Sequence, residues 1–288
     1  MAWRVEEIFK FVLLCLSMFM PFFLGALTIG TGFTVFTGDI HRIYFSNLTG
    51  SGFGTLIVLL SVFHLGPSEM ILIISLITVG ASLPLCVTRM RAMISFIFMC
   101  AVIVLYGAVL YENPVVLNDF KDLAQADKLK GAKREAQVFG SLGLITVVDS
   151  PAYHYLPDFS LNCPDPLPRQ KGLFLDGNSV GAISRFSGDI DSLHFMNCRT
   201  VSLPYKLLEK PRVLIIGGGG GTEVLNARYH GARAISVAEI NRDIIHMMRE
   251  RYGQFSRGIY DGDRITVFPE DGRGYLERTD DLYDLIHI

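Results

Sequence analysis

RVLIIGGGGGTEVL, residues 212–225, runs a short apolar segment into five glycines and then into a stretch of helical character. The pattern reads as a buried strand, a tight turn and the first turn of a helix. Glycines 217, 219 and 221 give G-x-G-x-G at the end of the strand. A dinucleotide fold calls for G-x-G-x-x-G, whose last glycine lets helix and strand approach closely. That position is Thr222 here, so the turn by itself does not choose a ligand.

The sequence around it narrows the choice. Apolar segments at 213–216, 234–240, 264–268 and 283–288 alternate with helical stretches at 222–229 and 241–253. In the second of these, Ile244, Ile245, Met247 and Met248 form a stripe at helical spacing, and Gly253 ends it. Such alternation implies a doubly wound parallel sheet of Rossmann type, with its ligand at the strand C-termini. Glu239 closes the second strand, about 20 residues beyond the turn, where an acid accepts from ribose hydroxyls. The third strand runs into PEDGRGYL, where Asp271, followed by Gly272, could accept from an adenine amino group. Gly217, Gly219, Gly221, Glu239, Asp271 and Gly272 are therefore the candidate cofactor-binding set. A glycine turn and two acids at successive strand ends point to S-adenosylmethionine or a close analogue. The plainer alternative makes the acids ordinary loop residues and the glycines only a turn.

Upstream, segments 142–150, 172–177 and 180–186 have β character and are separated by turn residues, which predicts a small antiparallel sheet. His154 and Tyr155 sit in the Pro- and Asp-rich loop between the first two, as exposed loop aromatics or as lining of a site. Asp176 follows a strand and is a weak candidate base, with capping of its own turn as the competing role. Glu223 lies in the first turn of a helix, where the dipole favours an acid.

The N-terminal part differs in kind. Charge-free apolar runs span 11–38, 43–68, 70–88 and 92–111, and crossing a bilayer takes roughly 20 apolar residues in a helix. A signal peptide would account for the first run alone. The expected organisation is a transmembrane helical bundle over 1–111, a linker or surface helix over 112–140, a small β subdomain over 141–205 and a nucleotide-binding domain over 206–288. Gly50, Gly52 and Gly54 in the second run suit close helix packing or a flexible helix start. Four spans put both ends on one side. The count of Arg4, Lys10, Lys121, Lys128 and Lys130 against Arg42, Arg89 and Arg91 then favours a soluble part facing the cytoplasm. No intramembrane Asp, Glu, Lys or Arg marks a transport path. A net charge of −2 gives no basic face for nucleic acid. Cys15, Cys86 and Cys100 fall within the runs, while Cys163 and Cys198 stand far apart without metal-ligand spacing, so neither a disulfide nor a metal site is expected.

VLIIGGGGGTEVL, then VAEIN, EDGRGYL and YDLI resemble the catalytic domain of spermidine synthases. LFLDG resembles the hairpin before that core. MPFFLGALTIG and IYFSNLTGSGFGTLIVLLSVFHLGP are similar to the membrane part of bacterial spermidine synthase-like proteins. The resemblance implies S-adenosylmethionine or its decarboxylated form as co-substrate, without a metal. It further implies aminopropyl transfer to a small-molecule amine in a bacterial inner membrane, with homodimerisation left open. Methyl transfer and non-catalytic nucleoside sensing are the alternatives. Three departures stand out: Gly220 replaces the acid of the family's GGGDG, Val180 replaces a glutamine, and Leu193-His194-Phe195 replaces a Tyr-His-Glu cluster. The family's base lies in a loop after the fourth strand, where this sequence stops, so a partial domain is expected.

Overall fold

The computed structural model describes residues 5–61, 65–82, 88–112 and 117–288. It divides into two compact units, Met1–Ser61 and Val62–Ile288. The first holds α1 (Val5–Val35) and α2 (Ile40–Ser61), joined by a 3-10 turn at Thr37–Asp39. Neither helix has a buried residue, and Phe19, Phe22, Leu48 and Phe53 stand open. A helix apolar on all sides belongs in an apolar medium. Its hydroxyls need no water: Thr28 donates to the Leu24 carbonyl at 2.8 Å, and Thr31 to Leu27 at 2.7 Å. Gly50, Gly52 and Gly54 all lie within α2, and a Cβ at any of them would meet nothing within 4 Å.

The second unit begins with α3 (Pro67–Ser82) and α4 (Arg89–Glu112). Segments Val5–Val35, Thr37–Ser61 and Arg89–Ala108 are long and apolar enough to cross a membrane, and Glu69–Ala81 is a shorter apolar helix. The expected third span is thus represented by a shorter helix. Residues 83–87 of that run, Cys86 among them, lie outside the described residues, as does Arg4.

A short α5 (Asp122–Ala126) leads into the antiparallel meander β1 (Lys133–Gly140), β2 (Gly143–Asp149), β3 (Gln170–Leu175) and β4 (Asn178–Ser184). β1 falls inside the stretch expected to be linker. Its Ala, Lys and Gln content suits a helix, but pairing along β2, from Lys133↔Asp149 to Gly140↔Gly143, prevails. Ala136 and Gly140 turn inward, while Lys133 and Arg134 stay in water.

The 3-10 segments Ile190–Cys198 and Thr200–Ser202 and a short α6 (Leu203–Leu207) lead to the second sheet. Its elements run β5 (Arg212–Ile216), α7 (Thr222–Tyr229), β6 (Ala234–Ala238), α8 (Arg242–His246) with a π turn at Met247–Arg251, α9 (Gly253–Ser256), β7 (Ile265–Phe268), α10 (Gly272–Arg278) and β8 (Leu285–His287). All pairs are parallel, in the order β7-β6-β5-β8. One apolar core runs through both sheets: Ile145, Leu173 and Ile183 from the meander join Val213 and Ile215 from the parallel sheet and Leu225 from α7.

The cysteine expectation is overturned. Cys163 and Cys198 form a disulfide, their Cα atoms 5.6 Å apart across a sequence separation of 35. The Pro-rich loop doubles back onto the 3-10 segment, where Phe159 bridges Arg199 and the Ser160 amide donates to the Cys198 carbonyl at 2.9 Å. Linear spacing carries no trace of that return.

Candidate functional site

The parallel register aligns the strand ends. Ile216 pairs with Ala238, and Ala238 with Phe268, so the segments beginning at Gly217, Glu239 and Pro269 leave one edge of the sheet side by side. β6 and β8 flank β5 on opposite sides. The chain therefore reverses its winding at β5, and the crevice at such a reversal is where open α/β sheets bind ligands.

The glycine turn needs its glycines. Gly217, Gly219 and Gly221 have φ of 82°, 49° and 81°, a region where a Cβ is strained. Gly217 donates to the Ala238 carbonyl at 2.8 Å, tying the turn to the neighbouring strand. Glu239, 5 % exposed, closes it: Oε2 accepts from the Gly219 amide at 2.9 Å and Oε1 from the Asn241 amide at 2.8 Å. Each oxygen keeps a lone pair for a further donor such as a ribose hydroxyl. From below, the Tyr260 hydroxyl donates to the Gly219 carbonyl at 2.9 Å. Burial pushes the Tyr260 hydroxyl well above its usual pKa and the Glu239 carboxylate adds to the shift, so it remains a donor.

β4 lies against the turn. A Cβ on Gly220 would stand 2.3 Å from the Ala182 carbonyl oxygen, and one on Gly219 2.8 Å from that of Val180. Both obstacles are backbone. Position 220, where the resemblance implies an acid, therefore has no room for a side chain here.

The other candidates are placed as follows. Asp271 is exposed and caps α10, accepting from the Gly274 amide at 3.1 Å. Gly272 is buried, and a Cβ there would come within 2.4 Å of Ile216. Asp176, with φ of 50°, forms the β3–β4 corner, and its carboxylate accepts from the Leu144 amide at 2.8 Å. That contact is of the capping kind. His154 and Tyr155 line a cavity of about 250 Å³ with Asp122, Gln125, Tyr153 and Phe174.

Glu223 belongs to a polar chain that sequence reasoning missed. Arg199, 5 % exposed, donates to Glu223 at 2.6 Å and to Asp158 at 2.9 Å. On the other side, His287 Nε2 at the end of β8 stands 3.4 Å from Glu223. Asn226 adds a bond to Glu223 at 3.2 Å and accepts from Ser202 at 2.8 Å. This chain joins the Pro-rich loop, α7 and β8 beside the glycine turn. Two positions after Glu239 in sequence, Asn241 caps α8, its Oδ1 accepting from the Asp243 amide at 3.0 Å.

Residues 195–288 match the spermine/spermidine synthase domain. Polyamine aminopropyltransferase 2 of Pseudomonas aeruginosa is 35 % identical over 111 residues, which cover 38 % of this chain and 31 % of that protein. The polyamine aminopropyltransferase of Streptococcus uberis is 33 % identical over 92 residues, 31 % of this chain and 32 % of the relative. The matched part thus spans about a third of these relatives' length. A solved spermidine synthase in complex with the transition state analogue AdoDATO is 20 % identical, with a TM-score of 0.37, over 54 % of this chain and 46 % of that chain. Residues 195–288 are therefore similar to the spermine/spermidine synthase domain, and over this part the chain resembles polyamine aminopropyltransferases.

Proposed function

We propose that this chain is a membrane-bound transferase that moves an aminopropyl group from decarboxylated S-adenosylmethionine to a small amine. The observation that carries the reading is the glycine turn latched to Glu239 by the Gly219 amide, which falls inside the segment matched to the spermine/spermidine synthase domain. The adenosine would lie along the strand ends, its ribose hydroxyls donating to Glu239 and its adenine amino group to Asp271. In the transfer, the amine lone pair attacks the carbon beside the sulfonium. The carbon–sulfur bond breaks, its electron pair leaves with the thioether nucleoside, and the new ammonium passes a proton to solvent water. Alignment and exclusion of water are the protein's main contributions. Glu239 does not suit the role of base, since both its oxygens already accept from backbone amides.

A second reading, methyl transfer from S-adenosylmethionine itself, draws support from Gly220. The acid that would hold the co-substrate's amino end is absent, and β4 leaves no space for one. The apolar helices support residence in a bilayer, and the charge count supports a soluble part on the cytoplasmic face of a bacterial inner membrane.

Calorimetric titration of the detergent-purified chain with both forms of the co-substrate separates these readings. Tighter binding of the decarboxylated form is expected. Preference for the intact form moves the assignment to methyl transfer, and silence from both removes the nucleoside site. Glu239→Ala should weaken binding at least tenfold, while Asp176→Ala should leave affinity unchanged; equal affinity in the Glu239 variant would sink the placement of the ribose.

A further inference from the structure

We propose that Cys163, Cys198 and Asp165 form a redox-gated zinc site: a disulfide when oxidised, a bound metal when reduced. One ligand atom from each of the three residues lies within 4.8 Å of the others, and all three are half-buried. A disulfide has no use for the carboxylate. Two thiolates beside a carboxylate, by contrast, repel one another unless a cation sits between them. Asp165 is also held in place: its Oδ2 meets His194 Nδ1 at 2.8 Å, which leaves Oδ1 for a metal. Carboxylates that bind metals are themselves commonly held by an outer hydrogen bond of this kind. Cys198 and His194 share the 3-10 segment Ile190–Cys198, so ligand and support come from one short element. Two sulfurs and one carboxylate oxygen fill three corners of a tetrahedron, and water takes the fourth.

The orientation proposed above gives the reduced form its setting. A cytoplasmic face is a reducing one, where structural disulfides are rare. A dithiol reductant breaks the sulfur–sulfur bond, supplying two electrons and two protons, and becomes a disulfide itself. Zinc then displaces both protons from the thiols and binds the two thiolates and the carboxylate.

The site is tested on the purified full chain, so its outcome is independent of membrane orientation and of the transferase reading. One sample is kept oxidised and another is reduced with a dithiol. Both are exposed to zinc, freed of unbound metal by gel filtration and analysed for zinc; cobalt replaces zinc in a parallel pair. Stoichiometric zinc and a thiolate-to-cobalt absorption band are expected in the reduced sample and neither in the oxidised one. His194→Ala should lower affinity about 10- to 100-fold, and Asp165→Asn should lower it further. Reduced protein whose two thiols titrate freely yet holds no metal would overturn the proposal, as would equal zinc in the oxidised sample. The oxidised control needs no substitution, so a variant that fails to fold does not blunt the test.

Discussion

Glu239 does two jobs with one carboxylate, and its substitutions should show both. Besides the proposed ribose contact, it is the acceptor for the Gly219 and Asn241 amides. Leaving buried donors unpaired costs about 1–3 kcal/mol each, so Glu239→Ala should lower chemical-denaturation stability by at least about 2 kcal/mol as well as abolish tight binding. Gly220 makes the opposite point. Restoring the family's acid with Gly220→Asp should not restore its function, because the side chain would begin 2.3 Å from the Ala182 carbonyl oxygen. Overpacking of this kind costs about 1–3 kcal/mol, and a variant as stable as the parent would show that β4 can withdraw. His230 sets a pH dependence. Its ring stacks 5.1 Å from that of Tyr205, and its Nε2 is buried without a partner among the described residues. Burial, with Lys206 nearby, lowers its pKa below 6.5. The unfolded chain then binds the proton more readily than the folded one. The stabilising contribution of His230 is complete above pH of about 6.5 and is lost as pH falls toward the folded-state value. Urea titrations between pH 5 and 8 should show this slope, and it should flatten in His230→Phe.

At the scale of elements, β4 and the Pro-rich loop shape the site although neither carries the residues proposed to hold the nucleoside. β4 presses its backbone on the turn, and Thr222 Oγ1 donates to the Ala182 carbonyl at 3.2 Å. The loop reaches the same region through Asp158, Arg199 and Glu223. The disulfide pins that loop across 35 residues. A closure of this length typically stabilises by about 2–4 kcal/mol. Reduction in the presence of a chelator should lower the melting temperature accordingly, and an unchanged midpoint would mean that the loop is held without it. The parallel-sheet elements were readable in advance because a buried strand, a glycine turn and a capped helix each leave a local pattern: 222–229 and the core of 264–268 match α7 and β7. β1 was not readable, since Lys133–Gly140 has no strong strand preference of its own and is extended only because β2 offers it a partner.

For the whole molecule, the exposed apolar helices dominate behaviour. α1 alone, at 31 residues, is roughly 46 Å long by the helical rise, more than a bilayer core of about 30 Å requires. The chain should remain with membranes through alkaline washing and come into solution only with detergent; release by carbonate would argue against spanning helices. Composition and periodicity alone determined the apolar N-terminal part, the alternating strand–helix half, the glycine turn and the acid at the end of β6, because each is a property of residues close in sequence. The Cys163–Cys198 bond, the Asp158–Arg199–Glu223–His287 chain, the Tyr260 latch and the closed space at Gly220 were decided only by tertiary structure. Each joins residues tens of positions apart, and no local pattern records which distant segment the folded chain will bring alongside.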